Sequence, residues 1–234
     1  MPARPRAVPA KPVDPQFSPD TLKFLKALGF HQNKAWFEEN RALYETAVKA
    51  PMLATIAATA EAFAKKGIPF TGEPRTAMMR IHRDVRFAKD KRPYNTHAAM
   101  MLTRDGSRQS RGRFYLGIEA DEIVMAAGFW QPELVDLATF RRAIVVRPAR
   151  FLAMQAALKK GKLTLNTSET LTRKPSGYPD SDPRIEQALR LKSFYTRRTL
   201  KPEVVFDRDR LVKALCAYAK DTLPLHEFGW QVLE

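Results

Sequence analysis

Cysteine is almost absent from this chain: Cys216 is the single one in 234 residues. No intramolecular disulfide framework can form, and a cysteine-based structural zinc site is not expected. Histidine is nearly as scarce. His31, His82, His97 and His226 show no His-x-x-x-His spacing and fall in no Cys or carboxylate metal pattern, so no metal is predicted. The Gly-x-x-x-x-Gly-Lys-Ser/Thr phosphate loop, the Gly-x-Gly-x-x-Gly fingerprint and the Gly-x-Ser-x-Gly elbow are all missing. Their absence removes the standard nucleotide and hydrolase signatures, and no cofactor is expected. No apolar run is long enough to cross a bilayer, the best being Ile123 to Trp130, and the N-terminus has no apolar signal core. The expectation is a protein without membrane insertion in a reducing, cytoplasmic compartment.

Acidic residues are in the minority. Lys and Arg number 40 against 25 Asp and Glu, a formal charge of +15 and a pI near 10.1, which favours polyanions such as nucleic acid or acidic membranes. Net charge describes non-specific attraction and not an activity.

The length and 44% hydrophobic content suit one domain. Residues 1–16 hold five of the seventeen prolines with Arg4, Arg6 and Lys11 between them, a flexible basic tail by composition. A single domain is expected over 17–234. Ser18-Pro19-Asp20 offers an N-cap, a proline in the first turn and an acid beside it, ahead of a Leu22, Leu25, Leu28 stripe. Asn33 can cap a second helix carrying Trp36, Phe37, Asn40 and Tyr44, and Pro51 can open a third that Gly67 stops. After Pro74, the segments Ala77 to Arg83, His97 to Thr103, Arg113 to Glu119 and Glu122 to Phe129 read as strands, the last two forming a hairpin across Ala120-Asp121. Pro132, Pro148, Asp182-Pro183 and Asp207 mark later helix starts, with 162–182 mostly loop and Cys216 in a core stripe. Helices before and after a run of strands predict an α+β fold, an antiparallel sheet of about four or more strands flanked by N-terminal and C-terminal helices.

The richest segment is 80–94, with six Lys or Arg, two Asp and two aromatics in fifteen positions. Such a cluster is either an internally paired ion network or a surface for an anionic ligand. It reads as a strand from Met78 running into a turn near Arg86, with Pro93 holding Arg92 extended. Arg80, Arg83, Arg86, Lys89 and Lys91 are the candidate anion-binding residues, because several cations on one surface suit phosphate or carboxylate oxygens. Asp84, Asp90, Phe87, Tyr94 and Trp130 are candidate supports, and Asp84 and His82 the candidates for acid–base chemistry. The structural alternative is that Asp84 and Asp90 neutralise their neighbours while Phe87 and Tyr94 plug the core. A second basic stretch, Arg104 to Arg113, either folds over the cluster or is a solvated mobile loop.

The cluster resembles the pattern Arg-x-x-Arg-Asp-x-Arg-Phe-x-x-Asp/Asn-Lys-x-x-Tyr of the family known as domain of unknown function 2461, through Arg80, Arg83, Asp84, Arg86, Phe87, Asp90, Lys91 and Tyr94. Asn33 to Tyr44, Gly128 to Pro132 and Leu171 to Tyr178 resemble further landmarks of that family. The chain departs from the pattern at Ala88, often Ser there, and Asn95, often Lys, which makes a hydroxyl at 88 dispensable and trims the positive charge. The resemblance implies a shared fold and site, and no activity. Three functions stay open: a module binding nucleic acid or a nucleotide, an enzyme acting on a phosphorylated or carboxylated small molecule, and a structural or partner-binding protein.

Overall fold

The computed structural model describes residues 14–178 and 182–234. Most of the expected tail lies outside the described residues, but Asp14 and the carbonyl of Pro15 both bind the guanidinium of Arg208, so contact with the fold begins before Phe17.

Local signals set the helix starts. Ser18 caps α1 (Pro19–Phe30), with its own N–H donating to the Thr21 hydroxyl at 3.1 Å in a reciprocal capping arrangement. Thr21, Phe24, Leu25 and Leu28 form the buried face, leaving Leu22 at its margin. Asn33 caps α2 (Lys34–Glu39) by accepting the Trp36 N–H at 3.0 Å.

The third helix corrects the expected boundary. A single turn α3 (Arg41–Leu43) leads into a π-helical stretch (Tyr44–Lys49) that runs on into α4 (Ala50–Lys65), so Pro51 lies within a continuous helical segment and does not open it. A proline inside a helix has no N–H to donate and its ring crowds the carbonyl four residues back. Here the wider π turn makes room, and that carbonyl, of Ala47, accepts the Thr21 hydroxyl at 2.6 Å. Because Thr21 is fully buried, Thr21→Val is expected to cost roughly 1–3 kcal/mol by stranding backbone polar groups. Urea denaturation measures this, and an unchanged midpoint would show that the junction does not depend on the hydroxyl.

The sheet is antiparallel in the order β1 (Ala98–Thr103), β2 (Arg113–Ile118), β3 (Ile123–Phe129), β4 (Phe194–Leu200). The hairpin turns where expected, with Ile118 opposite Ile123. Phe114, Leu116, Ile118, Ile123 and Met125 point into the core, the one-sided burial that alternating strands predict. Two expectations fail. Ala77 to Arg83 is not a strand: a short helix α5 (Pro74–Ala77) precedes it, and the rest meets β1 through an isolated bridge between Met78 and Met100 and a Met79 N–H bond to Ala99 O. Met79, which a strand from Met78 would turn to the same face as Ile81, is 38% exposed, whereas Ile81 is buried. Conversely, β4 does not stand out in the sequence, because Arg197-Arg198 interrupts its apolar alternation.

Helices α6 (Leu134–Val146), α7 (Pro148–Lys160), α8 (Pro183–Leu189) and α9 (Arg208–Leu233) follow. Asp182 and Asp207 cap the last two through the N–H groups of Arg184 and Arg210. Helix α9 packs on α4, α6, α7 and β3, burying Leu211, Leu215, Cys216 and Tyr218. The fold is α+β, as the order of elements predicts.

Candidate functional site

Segment 81–95 folds back on itself as a closed loop. Asn95 N–H donates to Ile81 O at 2.7 Å and Arg83 N–H to Pro93 O at 2.8 Å, with His82 and Tyr94 paired between them. Two Asp-x-Arg units brace the turns of the loop. Asp84 accepts the Arg86 backbone N–H at 3.2 Å and its Nε and Nη2 at 3.0 and 2.6 Å. Asp90 likewise accepts the Arg92 N–H at 3.0 Å and its Nε at 2.9 Å, and adds Arg83 Nη1 at 2.9 Å. An aspartate bonding the N–H two residues on is a turn-former in its own right, and here the same arginine returns to the carboxylate. Lys91 Nζ closes the loop by donating to Val85 O and Arg86 O at 3.0 and 3.3 Å.

The candidate cations therefore divide. Arg83, 26% exposed, and Lys91 serve the loop interior. Arg86 sits in an exposed pair with Asp84. Arg80 and Lys89 are exposed, and among the described residues their side chains form no hydrogen bond or ion pair. Of the aromatics, Tyr94 is buried and stacked on Phe37, ring centres 4.5 Å apart. Phe87 does not plug the core: it is 96% exposed, with the Arg86 guanidinium 6.0 Å from its ring centre.

Acid–base chemistry finds little support in this loop. Hydrogen bonds from Arg86 hold the Asp84 carboxyl below its ordinary range, which keeps it ionised and a poor proton carrier. Those from Arg92 and then Arg83 depress Asp90 strongly. His82 lies against the rings of Phe37 and Tyr94, at 5.5 and 5.1 Å, and makes no hydrogen bond to Asp84. Among the described residues, no group of three or more His, Cys, Asp or Glu is placed to hold a metal ion, and no helix is long and apolar enough to cross a membrane.

Trp130 is half-exposed but lines a different place, a cleft of about 740 Å³ that includes no residue of the loop. One wall is the 104–113 stretch, which neither covers the 81–95 loop nor floats in solvent. Arg108 donates to Thr76 O at 2.7 Å and Met78 O at 2.9 Å, and Arg111 Nε pairs with Asp136 at 3.0 Å while its Nη1 donates to Leu233 O at 2.9 Å. Trp230 Nε1 donates to Arg111 O at 2.8 Å across 119 residues of sequence. The end of β3 and the turn after it also line the cleft: Gly128 and Gln131 have φ of +135° and +46°, and Gln131 N–H donates to the Ser193 hydroxyl at 2.9 Å. Sequence reasoning singled out both segments but missed Arg111, Asp136 and Trp230 as partners, since no local spacing connects them.

Fold and surface together define an α+β protein with a charge-stapled basic loop and a separate aromatic cleft. Residues 20–228 match the model of the family described as Conserved hypothetical protein (DUF2461), and the chain belongs to that family. The loop and both of these cleft-lining segments fall within the matched span. A comparison with curated proteins finds no match.

Proposed function

We propose that the protein binds a phosphate-bearing polymer, single-stranded nucleic acid, at the tip of the 81–95 loop. The observation that carries this reading is Phe87, a phenyl ring 96% exposed on a loop whose charges have been spent on holding its shape. Bases stack on exposed aromatic rings without regard to sequence, and neighbouring cations track the backbone. Arg80, at the base of the loop, and Lys89, two residues after the ring, are exposed and form no ion pair among the described residues, so they add positive charge to the same segment. Arg86 joins them at small cost, because an exposed ion pair such as its bond to Asp84 is worth only about 0–1 kcal/mol. Arg83, Lys91, Asp84 and Asp90 present the tip.

The test is fluorescence anisotropy with a short single-stranded oligonucleotide over a range of salt. Affinity should fall with salt as displaced counterions predict, and Lys89→Ala should reduce the logarithmic slope by about 0.7. Phe87→Ala should weaken binding by about 5-fold to 150-fold, the value of one stacked base. Undetectable or salt-independent binding, or a Phe87→Ala variant that binds like the parent, rejects the reading.

A further inference from the structure

We propose that the cleft between the 104–113 stretch and the turn after β3 is a binding site for an uncharged carbohydrate, such as a short oligosaccharide. Its electrostatics set it apart from the loop. Three arginines line it against four carboxylates, and the central charges are matched: Arg111 with Asp136 and Arg104 with Glu234. A multiply charged ligand would have to break those pairs, whereas a neutral ligand leaves them intact.

What remains available is one aromatic side chain beside groups that both donate and accept. Trp130, 49% exposed, offers the indole face. Trp230 lies deeper, 8% exposed and covered by Arg104 at 4.9 Å from its ring. Gln109 and Gln131 both line the cleft, and their side-chain amides form no hydrogen bond among the described residues. Asp136 is buried with Arg111 as its ion-pair partner. A pyranose ring has a C–H face that packs on an indole, and hydroxyls that each donate and accept, which carboxamides and carboxylate–guanidinium pairs complement in plane. The volume of about 740 Å³ falls within the range of ligand sites.

The platform is also built at a cost. Gln131 and Lys162 are the two non-glycine residues with left-handed φ among the described residues, and Gln131 is held there by the bond to Ser193, which is buried. Such strain persists only where the surroundings impose it, and it gathers at sites of function. Here it fixes the chain direction immediately after Trp130.

The experiment is isothermal titration calorimetry of the full chain with maltotriose, cellotriose, laminaritriose and triacetylchitotriose, and with inorganic phosphate as the charged probe. The expected result is saturable heat with at least one trisaccharide, no competition from phosphate, and about tenfold weaker binding in Trp130→Ala. Gln109→Ala, on an exposed part of the wall, is a second variant that should also weaken binding if Trp130→Ala fails to fold. Phe87→Ala should bind the sugar like the parent, so failure here and failure of the nucleic-acid reading are separable. No saturable heat with any of the four sugars, competition by phosphate, or binding unchanged in both cleft variants overturns the proposal.

Discussion

Acidification from pH 6.5 to about 4 is expected to remove roughly 3 kcal/mol of folding stability through His226 alone. The imidazole is fully buried in α9, 4.7 Å from the ring of Phe70 and 5.3 Å from that of Trp230. Burial pushes its pKa down from 6.5 to about 4, against the opposing pull of the Thr222 and Arg113 carbonyls. Those carbonyls face Nδ1 and Nε2 at 3.1 and 3.4 Å, and a neutral ring has only one N–H to offer the two of them. In the unfolded chain the ring takes up a proton near its ordinary pKa, while the folded ring resists it. The unfolded state therefore binds more protons across the window, and stability falls as the pH falls. His97, also lowered by burial, adds a contribution of the same sign. Asp84 and Asp90 have depressed pKa values, so their contributions are lost only as the pH drops below the ordinary carboxylate range, beneath most of this window. Denaturant titrations at pH 7.5, 5.5 and 4.5 measure the slope. His226→Gln should be less stable at pH 7.5, because it breaks the ring packing, yet lose much less on acidification. A variant with the parental slope would place the pH dependence elsewhere.

Gly128→Ala should cost more than about 3 kcal/mol, enough to threaten folding. Gly128 sits opposite Tyr195 in the β3–β4 register with φ of +135°. A Cβ there would lie 2.3 Å from the Phe194 carbonyl oxygen and 2.7 Å from Tyr195 Cα. Both obstacles are backbone, so no side-chain rotation relieves them. Gly67→Ala is the control: its φ is also positive, at +63°, but nothing lies within 4 Å of the added carbon, so it should lose only the roughly 1–2 kcal/mol of the left-handed conformation. Chemical denaturation midpoints compare the two, and equal losses would show that the close approach of β4 is not what demands glycine.

Helix starts were legible because caps are local. Ser18, Asn33, Asp182 and Asp207 each bond an N–H two or three residues on, and short spacings survive any tertiary context. Pro51 was misread because its tolerance inside a helix rests on Thr21, 26 residues before the carbonyl it relieves. The importance of segment 80–94 was visible in composition, whereas the allocation of its charges was not. Asp84-x-Arg86 and Asp90-x-Arg92 are local turns that close inspection of spacing can anticipate, but Arg83 reaching Asp90 and Lys91 reaching Val85 depend on the loop closing. The exposure of Phe87 follows from that closure, and an apolar residue type alone argues the opposite. The cleft was the least legible feature, since Trp230 and Arg111 meet only after the sheet has formed.

The irregular chain beside β1 has a consequence for assembly. Thr71 pairs with Thr103, Met78 with Met100, and Met79 with Ala99, so the outer hydrogen-bonding edge of that strand is occupied at intervals by a cover that is not itself a strand. On the far side, Asn166 N–H donates to Tyr195 O at 2.8 Å, and Arg198 reaches Gly161 O at 2.6 Å. Each margin of the sheet is thus interrupted by bent, charged chain that offers no continuous ladder to another molecule. Copies of the protein crowded together would therefore meet edge to edge without a template for joining their sheets.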